Sequence, residues 1–293
     1  MRSMQKLGSA LVAVVAATVI ACGGGATDPT ATSSAALGSG APAYLALGDS
    51  VAFGFDPLRV PPKPPAFFVG YPTFLAEIVD TPSVNAACPG QTSSGFLSLQ
   101  GTDNGCFTFR FVEGFDLHVA YDGSQVAFAE QFLTGHPSTW LVTLQLGAND
   151  LFLVQSQCKG DPKCIAGELT TVLPQLGANL ATAFGDLRLA GYGGQIVFAN
   201  YYSPSTDPTF RATVQAMNDV IAQTATALGA RTADVFSAFD GASGAPAFDA
   251  CKAGLLIPLP SNECAVAPCC DVHPTQAGAE LIAETIAPLV VPR

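Results

Sequence analysis

Charge is scarce in this chain: Asp, Glu, Lys and Arg make up 12% of its 293 residues, with 12 basic residues against 23 acidic ones. So few basic residues argue against nucleic acid as a partner, because phosphate backbones reward clustered Lys and Arg. Histidine is rarer still, at three, and no C-x-x-C pair occurs, which argues against a zinc site. No G-x-S-x-G is found either, so the nucleophile elbow of ordinary α/β-hydrolases is missing. No internal repeat is visible, and no second linker divides the chain after residue 43.

The apolar stretch from Leu11 to Ile20 follows Arg2 and Lys6, is too short to span a bilayer, and leads into small residues. Residues 1–21 therefore read as a secretory signal. The run Val19-Ile20-Ala21-Cys22 resembles a bacterial lipobox, in which Cys22 is lipidated and becomes the mature N-terminus. Acyl chains on Cys22 would partner the membrane at about 0.8 kcal/mol per buried methylene. An ordinary signal cut near Ala21, with a secreted product, is the alternative. Residues 22–42, rich in Gly, Ser, Thr and Ala, cannot build a core and read as a flexible tether. Residues 43–293 suffice for one large domain. Removing Arg2 and Lys6 takes the formal charge from −11 to −13.

Of nine cysteines, eight lie beyond Cys22, an even number in an exported chain and thus a disulfide framework. Cys88 with Cys106 and Cys158 with Cys164 are the expected local pairs. Cys251, Cys264, Cys269 and Cys270 stay open, since the adjacent Cys269 and Cys270 can pair either way with the other two.

Short apolar runs alternate with longer amphipathic ones, which predicts an α/β fold with a mainly parallel sheet. Strands are expected at Tyr44 to Leu47, Ser83 to Ala86, Thr139 to Leu146, Gln195 to Ala199 and Arg231 to Val235. Helices are expected at Tyr71 to Val79, Gln125 to Leu133, Cys164 to Leu189, Thr209 to Leu228 and Thr275 to Pro288, with Pro174 interrupting the third. Phe107, Phe109, Phe111 and Phe115 alternate at period two and read as a half-buried strand or hairpin.

Four clusters stand at the ends of these elements: Gly48-Asp49-Ser50, Cys88-Pro89-Gly90, Gly147-Ala148-Asn149-Asp150 and Asp271-Val272-His273-Pro274. In a parallel sheet, ligands gather beyond the carboxyl ends of the strands, where Ser50, Gly90, Asn149 and Tyr201 would meet. Ser50 is a candidate nucleophile whose own amide can face an oxyanion, and His273 a base able to take its proton and return it to the leaving group. Glycine at 90 lets the backbone approach a substrate, and the Asn149 carboxamide is a neutral N–H donor, so both suit an oxyanion hole. His118 and His136 sit in surroundings that suggest structural roles. Asp49 and Asp150 read as loop-holding acceptors of backbone N–H groups, and one of Tyr201 and Tyr202 as a wall of the pocket.

Taken in order, the four clusters resemble those of the SGNH hydrolases, or GDSL-type esterases and lipases, with Ser50, Gly90, Asn149 and His273 at the four naming positions. The resemblance runs from Tyr44 to about Leu289. It implies a three-layer α/β/α, flavodoxin-like fold, no metal or cofactor, and a Ser–His mechanism through an acyl-enzyme. One departure is visible: that family's usual last block has an Asp three residues before the His, whereas here Cys270 stands there and Asp271 is two before. Either Asp271 orients His273, or the carbonyl of Cys270 does and the site is a Ser–His dyad.

The expected activity is hydrolysis of carboxylic esters of lipid or simple acyl substrates, with deacetylation of a polysaccharide as the rival and a non-catalytic surface binding protein as a further alternative. The proline-rich segment from Phe53 to Phe68 follows the nucleophile and is either one wall of an acyl pocket or a rigid surface loop.

Overall fold

The computed structural model describes residues 43–59, 64–260 and 269–292. The expected signal, Cys22 and the tether lie outside these residues.

Five parallel strands form the central sheet: β1 (Ala43–Gly48), β2 (Ser83–Asn85), β3 (Thr139–Gln145), β4 (Gln195–Ala199) and β5 (Arg231–Ala233), in the order β2-β1-β3-β4-β5. All six residues of β1 are buried, as expected of a strand covered on both faces. Register places Ala46 beside Asn85 on one side and Thr143 on the other, and Gly48 beside Gln145.

Right-handed crossovers dictate where the helices go. The step from β1 to β2 runs against the direction of all later steps, so its helix α2 (Tyr71–Ile78) covers one face. The later steps carry α3 (Ser93–Leu97), α4 (Gln125–Gly135), α5 (Ala148–Cys158), α6 (Pro162–Leu189) and α7 (Pro208–Ala227) to the other, where α3, α4, α5 and α7 all pack on α6. After β5 the chain forms α8 (Val235–Ser243) and α9 (Gln276–Ile286), and α9 joins α2. A flavodoxin-like strand order of this kind has its switch point between β1 and β3, and a crevice opens there. A separate antiparallel pair, β6 (Leu256–Pro258) with β7 (Cys270–Pro274), precedes α9.

Two sequence expectations differ from the structure. Pro174 does not interrupt the third helix: α6 runs unbroken from Pro162 to Leu189. Pro174 and Thr170 are not buried, so the carbonyl that proline leaves without its helical N–H can turn to water. The alternating phenylalanines do not form a strand. Thr108–Val112 is a wide helical turn that buries Phe115 and half-buries Phe109, leaving Phe107 and Phe111 exposed.

Disulfides link Cys88 to Cys106, Cys158 to Cys164, and Cys251 to Cys270. Cys269 is also disulfide-bonded, and Cys264 lies outside the described residues. Disulfides of this kind form and persist chiefly in oxidising compartments. Among the described residues no helix is long and apolar enough to cross a membrane.

Candidate active site

The site is built around a sharp stop. β1 ends at Gly48, Asp49 caps the short helix α1 (Ser50–Phe53) by accepting from Val51 N at 2.9 Å, and Ser50 is its first residue. A side chain is excluded at Gly48: its φ is +150°, and an added Cβ would lie 2.5 Å from the carbonyl oxygen of Gln145 on the neighbouring strand. Gln125, at the start of α4, grips the same residue from both sides, its Oε1 accepting from Gly48 N at 2.6 Å and its Nε2 donating to Gly48 O at 2.9 Å. The backbone that presents Ser50 is thus fixed by three elements.

His273 arrives from β7. Its Nε2 lies 2.8 Å from Ser50 Oγ, and its Nδ1 is hydrogen-bonded to Asp271 Oδ1. The same oxygen accepts from the backbone N–H of His273 at 3.0 Å. Alternation along a strand explains the contact, because residues two apart point to the same side. Burial pushes the Asp271 carboxyl up, but the hydrogen bond and charge of His273 outweigh it and leave the group below its ordinary value. Phe55 packs against the imidazole at 5.1 Å between ring centroids, and Tyr202 Oη donates to Val272 O at 2.6 Å, holding the strand between acid and base.

Asn149 stands in the first turn of α5, directly after β3, and is buried. Its amide orientation is set on both sides: Nδ2 donates to Asp49 Oδ2 at 3.2 Å and to Gln91 O at 3.1 Å, while Oδ1 accepts from Asn104 Nδ2 at 2.9 Å. Gly90 lies on the loop after β2 with φ +80°, where an added Cβ would stand 2.6 Å from Asn104 O. Asn104 N donates to Gly90 O at 3.0 Å, and Cys106 is bonded to Cys88, so the loops of Gly90 and Asn149 share one brace.

Asp49 is completely buried and joins three parts of the site. Besides capping α1 and contacting Asn149, it accepts from Tyr201 Oη at 2.7 Å. Burial raises its carboxyl to about 6, against the lowering pull of the Tyr201 and Val51 hydrogen bonds and the charge of His273, with Asp150 adding to the rise. Burial likewise raises Asp150, which accepts from Ser93 Oγ at 2.6 Å and Ser93 N at 2.9 Å.

A narrow cavity opens beside Ser50 and His273. Its far wall is apolar: Leu151 and Phe152 from α5, Phe210, Val214 and Met217 from α7, and Val272 from β7. Tyr201 and Tyr202 both line it. The described residues of the proline-rich segment do not. Its Phe55 and Phe68 instead pack with Phe53, Phe109 and Phe115 in an aromatic cluster on another side of His273.

The structure thus brings Ser50, Asn149 and His273 to one cavity, sets Asp271 against the Nδ1 side of His273, and places Gly90 on the adjoining loop. His118 bonds Phe53 O at 2.9 Å and packs on the Phe53 ring, its pKa lowered by burial, while His136 stacks on Phe132. Gln125, Gln91 and Asn104, which carry the loops, and Phe152, Val214 and Met217, which shape the cavity, are not identified from sequence. They are separated along the chain and follow no motif; amphipathic spacing could have placed Val214 and Met217 on an inner helix face, but not at this cavity.

The fold is shared with solved enzymes at low identity. A phospholipase A1 from Streptomyces albidoflavus superposes with a TM-score of 0.51 at 18% identity, covering 83% of this chain and 98% of that one. A lipase from a goat rumen metagenome gives 0.51 at 15% identity, with 83% and 95% covered. An acetyl-xylooligosaccharide esterase variant from Geobacillus gives 0.50 at 15% identity, with 84% and 93% covered. Among curated protein sequences none matches this chain. The GDSL-like lipase/acylhydrolase family model matches residues 46–281, a range that contains every group just described, and the chain belongs to that family of carboxylic ester hydrolases.

Proposed function

We propose that the protein is a serine esterase that hydrolyses esters of lipid or simple acyl substrates through an acyl-enzyme. The observation that carries this reading is the 2.8 Å contact of His273 Nε2 with Ser50 Oγ at the mouth of a cavity whose far wall is alkyl and aromatic. In the proposed sequence, Ser50 Oγ attacks the ester carbonyl as His273 takes its proton, and the imidazolium then protonates the departing alkoxide. A water, deprotonated by the same nitrogen, releases the acid and restores Ser50. Asp271 holds the imidazole in the tautomer with Nδ1–H and stabilises its cationic form. The N–H groups of Ser50 and Gly90 are the proposed donors to the oxyanion, joined by the Asn149 amide, which would exchange its long 3.2 Å bond to Asp49 for one to the substrate oxygen. The uncharged cavity wall favours an acyl chain there and leaves the alcohol part of the ester toward solvent.

The test is hydrolysis of p-nitrophenyl acetate, butyrate, octanoate and palmitate by the protein and by Ser50→Ala. Serine-dependent release with a preference beyond acetate is expected. Release confined to acetate would move the reading to an acetyl-polysaccharide esterase, and none from folded protein to a binding role.

We further infer that the domain, residues 43–293, is exported and held at the cell envelope by a lipidated Cys22 through the 22–42 tether. Cys22→Ser is then expected to shift the protein from the membrane fraction to the soluble fraction.

A further inference from the structure

We propose that the Cys251–Cys270 disulfide is a positioning device for Asp271, keeping the start of β7 where the carboxylate meets Nδ1 of His273. The inference rests on the reading of Asp271 as the group that orients His273.

Cys270 is the first residue of β7 and the immediate neighbour of Asp271. Just before it, Cys269 is disulfide-bonded as well and its carbonyl accepts from Leu259 N at 3.1 Å, but neither bond reaches Cys270 itself. All five of its residues are partly exposed, whereas the core strand β1 is buried throughout, and its partner β6 is three residues long with an irregular register between Leu256 and Pro258. The two halves of β7 are also held differently. Its C-terminal half is anchored beyond His273 by Thr275 N donating to Leu255 O at 2.9 Å and Thr275 Oγ1 to Gly254 O at 2.7 Å, and by the buried face of α9. Tyr202 holds Val272 from the other side.

Among the described residues no such anchor comes from the Asp271 side chain. The hydrogen bonds of its carboxylate come from β7 itself: the ring and backbone N–H of His273 and the backbone of Val272. Where that carboxylate stands is therefore decided by the backbone at Cys270. There the chain is tied covalently, with Cα atoms 5.6 Å apart, to Cys251, which directly follows the buried Ala250. The link connects the acid's backbone to the body of the domain without passing through the base.

A double-mutant cycle tests this. The Cys251→Ala/Cys270→Ala protein is expected to lose about tenfold in kcat with KM within about twofold, the pattern of an interaction made in the transition state. Asp271→Asn alone should lose at least as much. In that background, removing the disulfide should cost less than about twofold more, because the group it positions no longer acts. The acidic limb of the rate profile should move the same way in both variants. A tenfold loss in both backgrounds, no loss in either, or an unmoved limb would overturn the proposal. An unchanged rate for Asp271→Asn would overturn the reading of Asp271 itself, a distinguishable result. If the double variant does not fold, the cycle is repeated on folded wild-type and Asp271→Asn protein under graded phosphine reduction, with rate compared against thiol labelling at Cys251 and Cys270. Cys158→Ala/Cys164→Ala, whose bond links α5 to α6, is the control and is expected to keep the basal rate.

Discussion

The hydroxyl of Tyr201 donates to the carboxylate of Asp49 at 2.7 Å, joining the end of β4 to the residue before Ser50. That same Oδ2 also accepts from Asn149 Nδ2. Burial holds the phenol far above its ordinary pKa, so it stays a donor at every working pH. Tyr201→Phe leaves the Asn149 amide as the remaining side-chain donor at that oxygen and draws it toward Asp49, away from the cavity. A fall in kcat of about tenfold, with KM nearly unchanged, is expected from steady-state kinetics.

Asp49 also predicts a pH dependence of stability. Its carboxyl is raised from 3.8 to about 6 by burial, so between those values the unfolded chain has released a proton that the native protein retains. Fewer protons on the unfolded state mean that this group's contribution falls as pH rises through that window, and it is complete only below the unfolded value. A rise of that size costs at most about 3 kcal/mol above pH 6. Asp49→Asn should therefore stabilise the protein more at pH 8 than at pH 4, as read from melting temperatures at both. An equal effect at the two values would contradict the buried, proton-holding carboxyl.

Truncating the candidate oxyanion donor should be costly in rate and cheap in binding. Asn149→Ala is expected to lower kcat about 10²- to 10³-fold, the usual loss for one such donor, with KM changing little. A small loss would show that the amide only braces the Gln91 and Asn104 loops, a role visible in its 3.1 and 2.9 Å bonds.

Chain-length preference should follow the α7 wall of the cavity. Val214 is buried there beside Met217, and Val214→Phe would take up part of the space beyond Ser50. One methylene in an apolar pocket changes kcat/KM by about 10- to 200-fold. The octanoate to acetate ratio is thus expected to drop by about tenfold or more, measured on the p-nitrophenyl series. An unchanged ratio would place the acyl chain elsewhere.

Much of the framework is readable in one dimension because its signals are local. The run Ala43-Tyr44-Leu45-Ala46-Leu47 has the continuous apolar pattern of a strand buried on both faces, and the structure buries all of it. Helices α2, α4, α7 and α9 are visible from amphipathic spacing within a few residues of their observed ends. The pairs Cys88–Cys106 and Cys158–Cys164 follow from short separations of 18 and 6 residues. By contrast, the phenylalanines at 107, 109, 111 and 115 carry a strand-like period, yet burial of Phe115 and Phe109 against Phe55 outweighs it and the segment turns helical. Period alone does not say which neighbours a segment will find.

By itself the sequence determined the α/β alternation, the family, and the residue types from which an ester-cleaving site could be assembled. Those are properties of patterns and of short motifs. Only the tertiary structure decided that Cys251 rather than Cys264 bonds Cys270, that Nδ1 of His273 meets Asp271 rather than a carbonyl, and that α5 and α7 rather than the described residues of the proline-rich segment wall the cavity. Ser50 and His273 are 223 residues apart, and Asp49 and Tyr201 are 152 apart. Contacts over such distances depend on how the sheet and its two helical layers pack, and close packing selects one arrangement among many that the same motifs permit.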